Sequence, residues 1–176
     1  MRESGKMLSV KIHEAAALMV DCFRRDGKVL LLGNGGSAAD ALHIEGELLG
    51  RFEMQRPGLP ALAMGGGLSA LTAAANDYSY EEALARLVEA HVKPTDVLIA
   101  ISTSGNSLNV VNAARASRSK GARVIALTGS TGGKLGEISD VLLNVPCDQT
   151  PRIQEVHITI GHLLCAIVEN EMFGET

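Results

Sequence analysis

Short, unbroken apolar runs recur along this chain, and most are followed by a loop rich in glycine or serine and then by a segment with helical spacing. The runs cover residues 28–32, 59–64, 96–101, 123–127 and 140–145. Strands that are apolar at every position are typical of a parallel sheet that is covered on both faces. The pattern therefore predicts an α/β fold, in which helices flank a doubly wound, five-stranded parallel sheet.

Length and segmentation predict a single domain. The chain has 176 residues, of which 46% are hydrophobic, so it can bury one sizeable core. No linker, charge run or low-complexity segment divides it, and we expect one domain over residues 1–176. An amphipathic leading helix over about residues 8–25 and a terminal helix over residues 152–172 carry apolar faces. We expect the leading helix to pack at an oligomer interface.

Composition and charge disfavour several classes of function. A net charge of -4 and an aromatic content of 3% offer neither the basic surface nor the stacking platform of nucleic-acid binding. Cys22, Cys147 and Cys165 are odd in number and widely spaced, so we expect free, buried thiols rather than disulfides or a cysteine zinc site. The N-terminal stretch carries charge throughout and lacks the apolar run of a signal peptide or membrane span. These features predict a cytoplasmic protein that binds neither nucleic acid nor membrane.

Two loops at the carboxyl ends of predicted strands carry residue types that hold a phosphate, and ligands of doubly wound sheets bind at those ends. The loops are Gly33-Asn34-Gly35-Gly36-Ser37 and Ser102-Thr103-Ser104-Gly105-Asn106-Ser107. A helix opens after each, so hydroxyls and unpaired N–H groups lie at a positive helix end. Neither loop is a Walker loop or a dinucleotide fingerprint, which favours a small phosphate monoester. Ordinary helix capping is the alternative for either loop alone.

Polar residues on two predicted helices suit metal binding or acid–base chemistry. His43 and Glu47 stand at i and i+4, hence on one helix face, and such a pair can ligate zinc or move protons. A solvated surface contact is the more frequent role of such a pair, but this helix is otherwise largely apolar. Gln154, His157 and His162 lie among apolar residues of the terminal helix, where a satisfied core or interface side chain is the ordinary interpretation.

Six motifs follow one another along the chain. They are Gly33-Asn34-Gly35-Gly36-Ser37, His43-x-x-x-Glu47-Leu48-x-Gly50-Arg51, Arg56-Pro57, Asn76-Asp77, Ile101-Ser102-Thr103-Ser104-Gly105-Asn106-Ser107 and Arg152-Ile153-Gln154-Glu155-x-His157. In this order they resemble the phosphoheptose isomerase family of sugar isomerase (SIS) domain proteins, over about residues 8–172. Any one motif occurs across sugar-phosphate-binding relatives, whereas the ordered set is specific.

The resemblance implies an aldose–ketose isomerase that converts sedoheptulose 7-phosphate to D-glycero-D-manno-heptose 7-phosphate through an enediol(ate), toward heptose for cell-surface glycans such as lipopolysaccharide. It implies a homotetramer with sites at subunit interfaces. The implied phosphate-binding residues are Ser102, Thr103, Ser104 and Ser107, helped by Asn34, Gly35, Gly36 and Ser37. The implied sugar-binding residues are Arg51, Asn76 and Asp77, with Glu47 and Gln154. One zinc ion per site would be held by His43, Glu47, Gln154 and His162, with Glu47 as base and His162 as acid.

Helix geometry limits how Gln154 and His162 can share one ion. Eight residues of regular helix place them roughly 12 Å apart along the axis and about 80° apart around it. The terminal helix therefore begins after Gln154, or the two residues reach one ion from different subunits.

One loop departs from the family pattern, and two non-catalytic functions remain as alternatives. Residues 64–69 read Met-Gly-Gly-Gly-Leu-Ser where relatives usually carry Thr or Ser with an Asp, so another phosphorylated ketose is an alternative substrate. A SIS relative that binds a replication initiator shares the glycine loop but lacks counterparts of Glu47 and His162. A sugar-phosphate sensor would use the serine loop and would not need Glu47.

Overall fold

Five strands form one parallel sheet in the computed structural model, which describes residues 2–174. They are β1 (Val29–Leu32), β2 (Ala61–Ala63), β3 (Val97–Ser102), β4 (Arg123–Thr128) and β5 (Val141–Asn144). Their order in the sheet is β2-β1-β3-β4-β5, with every neighbouring pair parallel. This is the doubly wound fold that the apolar runs predict. Its strand order reverses between β1 and β3, the position at which such sheets bind ligands.

Helices cover both faces of the sheet. They are α1 (Arg2–Arg24), α2 (Gly36–Leu49), α3 (Leu68–Asp77), α4 (Tyr80–His91), α5 (Leu108–Ser119), α6 (Gly133–Ile138) and α7 (Thr150–Phe173). One core cluster joins α1, α2 and α7 to the sheet, and a second joins α4, α5 and α6 to the opposite face. Over the part of the chain that the structure describes, none of these helices has both the length and the apolar character needed to cross a bilayer.

The central strands are buried on both sides, as their composition predicts. In β1, Leu31 belongs to the first cluster and Leu32 to the second, and both are at most 1% exposed. Side chains of a strand alternate between faces, so a run without polar positions serves two cores at once.

Some helix boundaries differ from the sequence predictions. The leading helix begins at Arg2, six residues before its amphipathic pattern becomes visible. After β2 there are two helices, because Ser79 caps α4 by accepting a hydrogen bond from the Glu82 N–H at 3.2 Å. α7 begins at Thr150 with a proline in its first turn, where proline is tolerated, so the alternative in which this helix begins after Gln154 is wrong.

α2 and α7 pack closely on one face of the sheet, and a glycine sets their approach. A Cβ at Gly161 would lie 2.6 Å from the Ile44 Cδ1 atom, closer than real Cβ contacts allow. Ile44 directly follows His43 in α2, and His162 directly follows Gly161 in α7. The packing therefore brings the two histidine-bearing turns to the same level.

Candidate functional site

The two predicted phosphate-binding loops lie beside the point where the strand order reverses, one after β1 and one after β3. The helices that follow them, α2 and α5, begin with Gly35 and Ser107 as caps, and neither helix has a side-chain cap hydrogen bond. The first N–H groups of a helix have no partner within the helix, so both helix starts offer donors to an anion. The arrangement suits a phosphate between the loops.

The serine loop is held by backbone contacts with the loop after β4 and with α6. Gly105 has a φ of +66°, which favours glycine, and its carbonyl accepts from the Leu135 N–H at 2.9 Å. The Thr103 carbonyl accepts from the Gly129 N–H at 2.8 Å. A Cβ at Gly105 would lie 2.1 Å from the Gly132 carbonyl oxygen. These contacts with neighbouring segments therefore hold the loop in its conformation.

Hydroxyl groups remain on this fixed loop. Ser102 is buried and its Oγ donates to the Ser107 Oγ at 3.1 Å, whereas Thr103 is half-buried and Ser104 is exposed. The Ser104 Oγ accepts from the Asn106 N–H at 3.1 Å, which leaves its own proton free to turn toward a ligand.

The glycine loop is held by a pair of side-chain amides. Asn34 and Asn109 exchange hydrogen bonds of 2.9 and 2.8 Å, and the Tyr80 hydroxyl donates to the Asn34 Oδ1 at 2.8 Å. The Asn34 side chain thus connects the loop to α5 and α4. The sequence predicted Asn34 as a phosphate contact and gave no sign of Asn109, because a contact 75 positions apart has no local pattern.

His43, Glu47 and His162 meet between α2 and α7. Their ligand atoms all lie within 4.8 Å of one another, with the two Nε2 atoms 2.9 Å apart and the His43 Nε2 3.3 Å from a Glu47 oxygen. Two imidazole nitrogens at this distance share one proton or direct both lone pairs to one cation. Phe52 stacks on the His162 ring, with centroids 5.5 Å apart and planes 30° apart.

The donor set of this cluster suits zinc. Two imidazole nitrogens with one carboxylate oxygen form a ligand set that catalytic zinc sites use, with a further position for water or substrate. Tetrahedral zinc at about 2.0–2.1 Å from each donor separates the donors by roughly 3.3 Å, close to the two distances of the His43 Nε2, which are 2.9 and 3.3 Å. His43 is exposed and Glu47 is half-buried, so the cluster opens toward solvent.

A carboxylate that the sequence analysis missed lies one turn before His43. One side-chain oxygen of Asp40, Oδ2, is buried and has no hydrogen-bond partner among the described residues. Burial raises the pKa of Asp40, and the nearby His43 opposes that shift. Asp40, His43 and Glu47 stand at i, i+3 and i+7, and this spacing was the available sign that all three share a helix face.

The polar residues of α7 occupy different surroundings. Gln154 lies against the glycine loop, since a Cβ at Gly36 would be 2.7 Å from its Nε2, and it is two helical turns from His162. His157 is fully buried and its Nε2 donates to the Thr128 carbonyl at 3.1 Å. Burial lowers the pKa of His157. His157 is therefore a core histidine, as its apolar surroundings predict, but it is satisfied only at Nε2, because its buried Nδ1 has no hydrogen-bond partner among the described residues.

The predicted sugar-binding residues lie on less constrained segments. Arg51 is exposed just beyond the end of α2. Asn76 and Asp77 end α3, and the Asn76 Nδ2 donates to the Asp77 Oδ1 at 3.0 Å. No residue of α3 is buried. The structure thus assembles the phosphate loops and the His43, Glu47 and His162 cluster, while these three side chains remain open to solvent.

The three cysteines are free. Cys22 and Cys165 are buried, and burial raises the pKa of each thiol to about 12, while Cys147 is half-buried. The expectation of buried free thiols is met by two of the three residues.

Comparisons with known proteins show which family this chain resembles in sequence and fold. A family model described as SIS domain matches residues 2–129. A phosphoheptose isomerase of Geotalea daltonii is 49% identical over 175 residues, which cover 99% of this chain and 91% of that protein. Solved phosphoheptose isomerases of Neisseria gonorrhoeae and Francisella tularensis have TM-scores of 0.90 and 0.91 at 44% and 40% identity. Each of these two matches covers 96% of this chain and 90% of the solved chain.

Proposed function

The chain belongs to the phosphoheptose isomerase family of SIS domain proteins, and from this premise we propose that it interconverts sedoheptulose 7-phosphate and D-glycero-D-manno-heptose 7-phosphate. This aldose–ketose isomerisation runs through an enediol(ate) and would serve heptose supply for cell-surface glycans such as lipopolysaccharide. The observation that carries the proposal is the convergence of His43, Glu47 and His162 between α7 and α2, the helix that begins at the glycine loop.

The phosphate group would bind where α2 and α5 begin. The proposed contacts are the hydroxyls and N–H groups of Ser102, Thr103, Ser104, Ser107, Gly35, Gly36 and Ser37. Asn34 would contribute by holding the glycine loop through Asn109. His43 lies seven residues along α2 from Gly36, or roughly 10 Å, a span that suits an extended seven-carbon sugar phosphate.

The sugar hydroxyls would be bound by Arg51, Asn76 and Asp77, with Glu47 and Gln154 completing the substrate site. Each can form hydrogen bonds with a polyol, and Arg51, Asn76 and Asp77 are exposed. The neighbouring residues 65–67 are all glycine, so no side chain from that stretch would limit the sugar that enters.

Glu47 is the proposed base and His162 the proposed acid. The Glu47 carboxylate would take a proton from C1 of the ketose while the His162 ring nitrogen that does not bind the metal donates its proton to the C2 carbonyl oxygen, which gives the enediol. Transfer of the proton from Glu47 to C2, with return of the C1 hydroxyl proton to the imidazole, then gives the aldose. Both side chains end in their starting protonation states.

One zinc ion per site is part of the proposal, with His43, Glu47, His162 and Gln154 as ligands. When bound, zinc would polarise the substrate carbonyl and stabilise the negative charge that develops on oxygen. Gln154 and His162 lie on one regular helix and are two turns apart, so Gln154 would reach the ion of another subunit.

We further propose a cytoplasmic homo-oligomer, a tetramer, with α1 at the subunit interface. Large apolar side chains are exposed beside the cluster, namely Leu42, Leu49 and Leu163. Apolar surface next to a solvent-open catalytic cluster is well suited to be covered by a neighbouring subunit.

The test is turnover of sedoheptulose 7-phosphate by the purified protein, before and after chelation and zinc addition. Wild type should form the aldose, chelation should abolish this activity and zinc should restore it. Glu47→Gln should lower kcat by at least 100-fold. The matched control is Glu45→Gln, two residues away on α2, because a glutamine oxygen can still accept from the Ala63 N–H as Glu45 does at 2.8 Å.

Other outcomes would favour the alternatives. Binding of the sugar phosphate without turnover at any zinc concentration would favour a sensor. Turnover of a different phosphorylated ketose, with little for the heptulose, would reassign the substrate and keep the isomerase. Equal loss of activity in Glu45→Gln and Glu47→Gln would contradict the assignment of Glu47 as base.

A further inference from the structure

A buried ion pair outside the catalytic cluster holds the segment of residues 50–57, which connects α2 to β2. The Arg56 Nε donates to the Glu169 Oε1 at 2.9 Å, and both side chains are only 1% exposed. The bond joins this segment to α7 across 113 positions of sequence. Arg56 belongs to a motif that the sequence analysis singled out, and the proposed reaction gives it no task.

The Arg56 guanidinium also binds the end of α2. Its Nη2 donates to the Glu47 carbonyl at 2.8 Å and its Nη1 to the Leu48 carbonyl at 2.7 Å. Carbonyls in the last turn of a helix have no partner within the helix, and a cation there also complements the helix dipole. Arg56 thus fixes the backbone of the proposed base.

The Glu169 carboxylate binds the other side of the same segment. It accepts from the N–H groups of Phe52, Glu53 and Met54 at 2.8 to 2.9 Å. Burial raises the pKa of Glu169, but these hydrogen bonds and Arg56 outweigh burial and lower the pKa to about 2. Phe52, held in this way, is the residue that stacks on the His162 ring.

We propose that Arg56 and Glu169 are positioning residues that set Glu47 and His162 relative to each other. Arg56 acts through the last turn of α2, and Glu169 acts through Phe52 on the His162 ring. The inference rests on the proposed function, because isomerisation needs a base and an acid that both reach the two adjacent carbons and their oxygens in one substrate. A displacement of about 1 Å at a reacting group can cost on the order of 100-fold in rate. Substrate binding by the phosphate loops should not change.

The kinetic test compares Arg56→Lys and Glu169→Gln with a change to a buried, ion-paired carboxylate outside the site. Asp96 is 1% exposed, accepts from the N–H groups of Lys28 and Lys93, and pairs with the Lys28 ammonium beside the amino ends of β1 and β3. At a temperature where all variants are folded, Arg56→Lys and Glu169→Gln should lower kcat by roughly 10- to 100-fold with KM within about twofold. Asp96→Asn should keep kcat within about twofold despite a lowered Tm. Retained kcat in the first two variants, or an equal loss in Asp96→Asn, would overturn the proposal.

A second readout needs no turnover. In protein labelled with ¹³C-histidine, the His162 ring resonance is assigned by its absence in His162→Gln and should be shifted upfield by the Phe52 ring. Phe52→Leu, which leaves the ion pair intact, and Arg56→Lys should both move this resonance downfield, while Asp96→Asn should not. An unmoved resonance in Arg56→Lys overturns the positioning role. Absence of turnover in wild type would count against the proposed function alone, and this readout would still decide the positioning role.

Discussion

Residues 102–107 follow β3 and residues 65–77 follow β2, so both segments lie at the carboxyl ends of the strands. Both are proposed to contact the substrate, but the contacts that hold them differ. Residues 102–107 are bonded through the backbone to the loop after β4, and Gly105 has no room for a side chain. Residues 65–77 contain α3, in which no residue is buried and Leu68 is 72% exposed.

The difference indicates that the two segments have different roles in binding the substrate. A loop that is fixed before the ligand arrives loses no conformational freedom on binding, which suits the recognition of a phosphate common to many sugars. A helix without buried side chains belongs to the low-stability end of a fold and is easily rearranged. We infer that the phosphate loop anchors the ligand and that the sugar then orders α3.

The largest expected effect is the difference in stability loss when one methyl group is added to each segment. Gly105→Ala places a Cβ 2.1 Å from the Gly132 carbonyl oxygen in a left-handed conformation, and it should lower the free energy of unfolding by roughly 2–5 kcal/mol. Gly65→Ala has no atom within 4 Å of the new Cβ and should change that free energy by less than about 1 kcal/mol. Urea unfolding followed by circular dichroism measures both, and equal losses would remove the contrast between the segments.

Lowering the pH should remove the contacts of residues 50–57, which a charged carboxylate holds, but not those of residues 102–107, which neutral backbone groups hold. Residues 50–57 depend on the Glu169 carboxylate, whose pKa falls from an ordinary value of 4.5 to about 2, so its contribution is fully present above pH 4.5 and is lost as the pH falls toward 2. The shift corresponds to roughly 3 kcal/mol. Unfolding free energies of wild type and Glu169→Gln should therefore converge between pH 5 and pH 2. A difference that stays constant over this range would show that Glu169 is not held ionised.

Steady-state kinetics should show that a change in residues 102–107 alters KM, whereas a change in residues 65–77 alters kcat. Ser107→Ala removes a hydrogen bond to a charged phosphate, worth about 1.5–3 kcal/mol, so KM and the inhibition constant of inorganic phosphate should rise roughly 10- to 100-fold with little change in kcat. Asp77→Asn should lower kcat by about tenfold and leave phosphate inhibition unchanged. The same pattern in both variants would mean that the segments act as one unit.

The smallest expected effect is a difference in amide hydrogen-exchange rates between α3 and α5. Without ligand, the amides of α3 should exchange faster than those of α5, which packs six buried residues into the core. Inorganic phosphate should slow exchange only at the two phosphate loops, whereas the sugar phosphate should slow exchange in α3 as well. Protection of α3 by phosphate alone would contradict the order of binding inferred above.

The fold could be predicted largely from local patterns. All five strands lie within two residues of the apolar runs, because a strand that serves two cores is apolar at every position. The helices after β2 were harder, since the glycine-rich stretch hides where a helix begins. The sign that would have separated α3 from α4 is Ser79 three residues before Glu82, a helix-capping pattern.

The candidate site could be predicted only in part. His43 and Glu47 share a helix face by their spacing, and the family resemblance added His162, which the structure brings to them. The partnership of Arg56 with Glu169 was missed, because the two residues are far apart in sequence and a buried carboxylate cannot be recognised until its donors are known. Arg56 could be recognised as part of a motif, whereas its partner Glu169 and the segment that the two residues hold are visible only in three dimensions.

The size of the residue at position 161 affects the distance between the imidazoles of His43 and His162. Because Gly161 has no side chain, α7 packs against Ile44 of α2 directly beside the two histidines. A larger residue at position 161 would push α2 and α7 apart and increase the distance between the two imidazoles, while both histidines stay the same. Under the proposed metal site, metal preference would therefore change through a residue that binds no metal, while the proposed ligands stay the same.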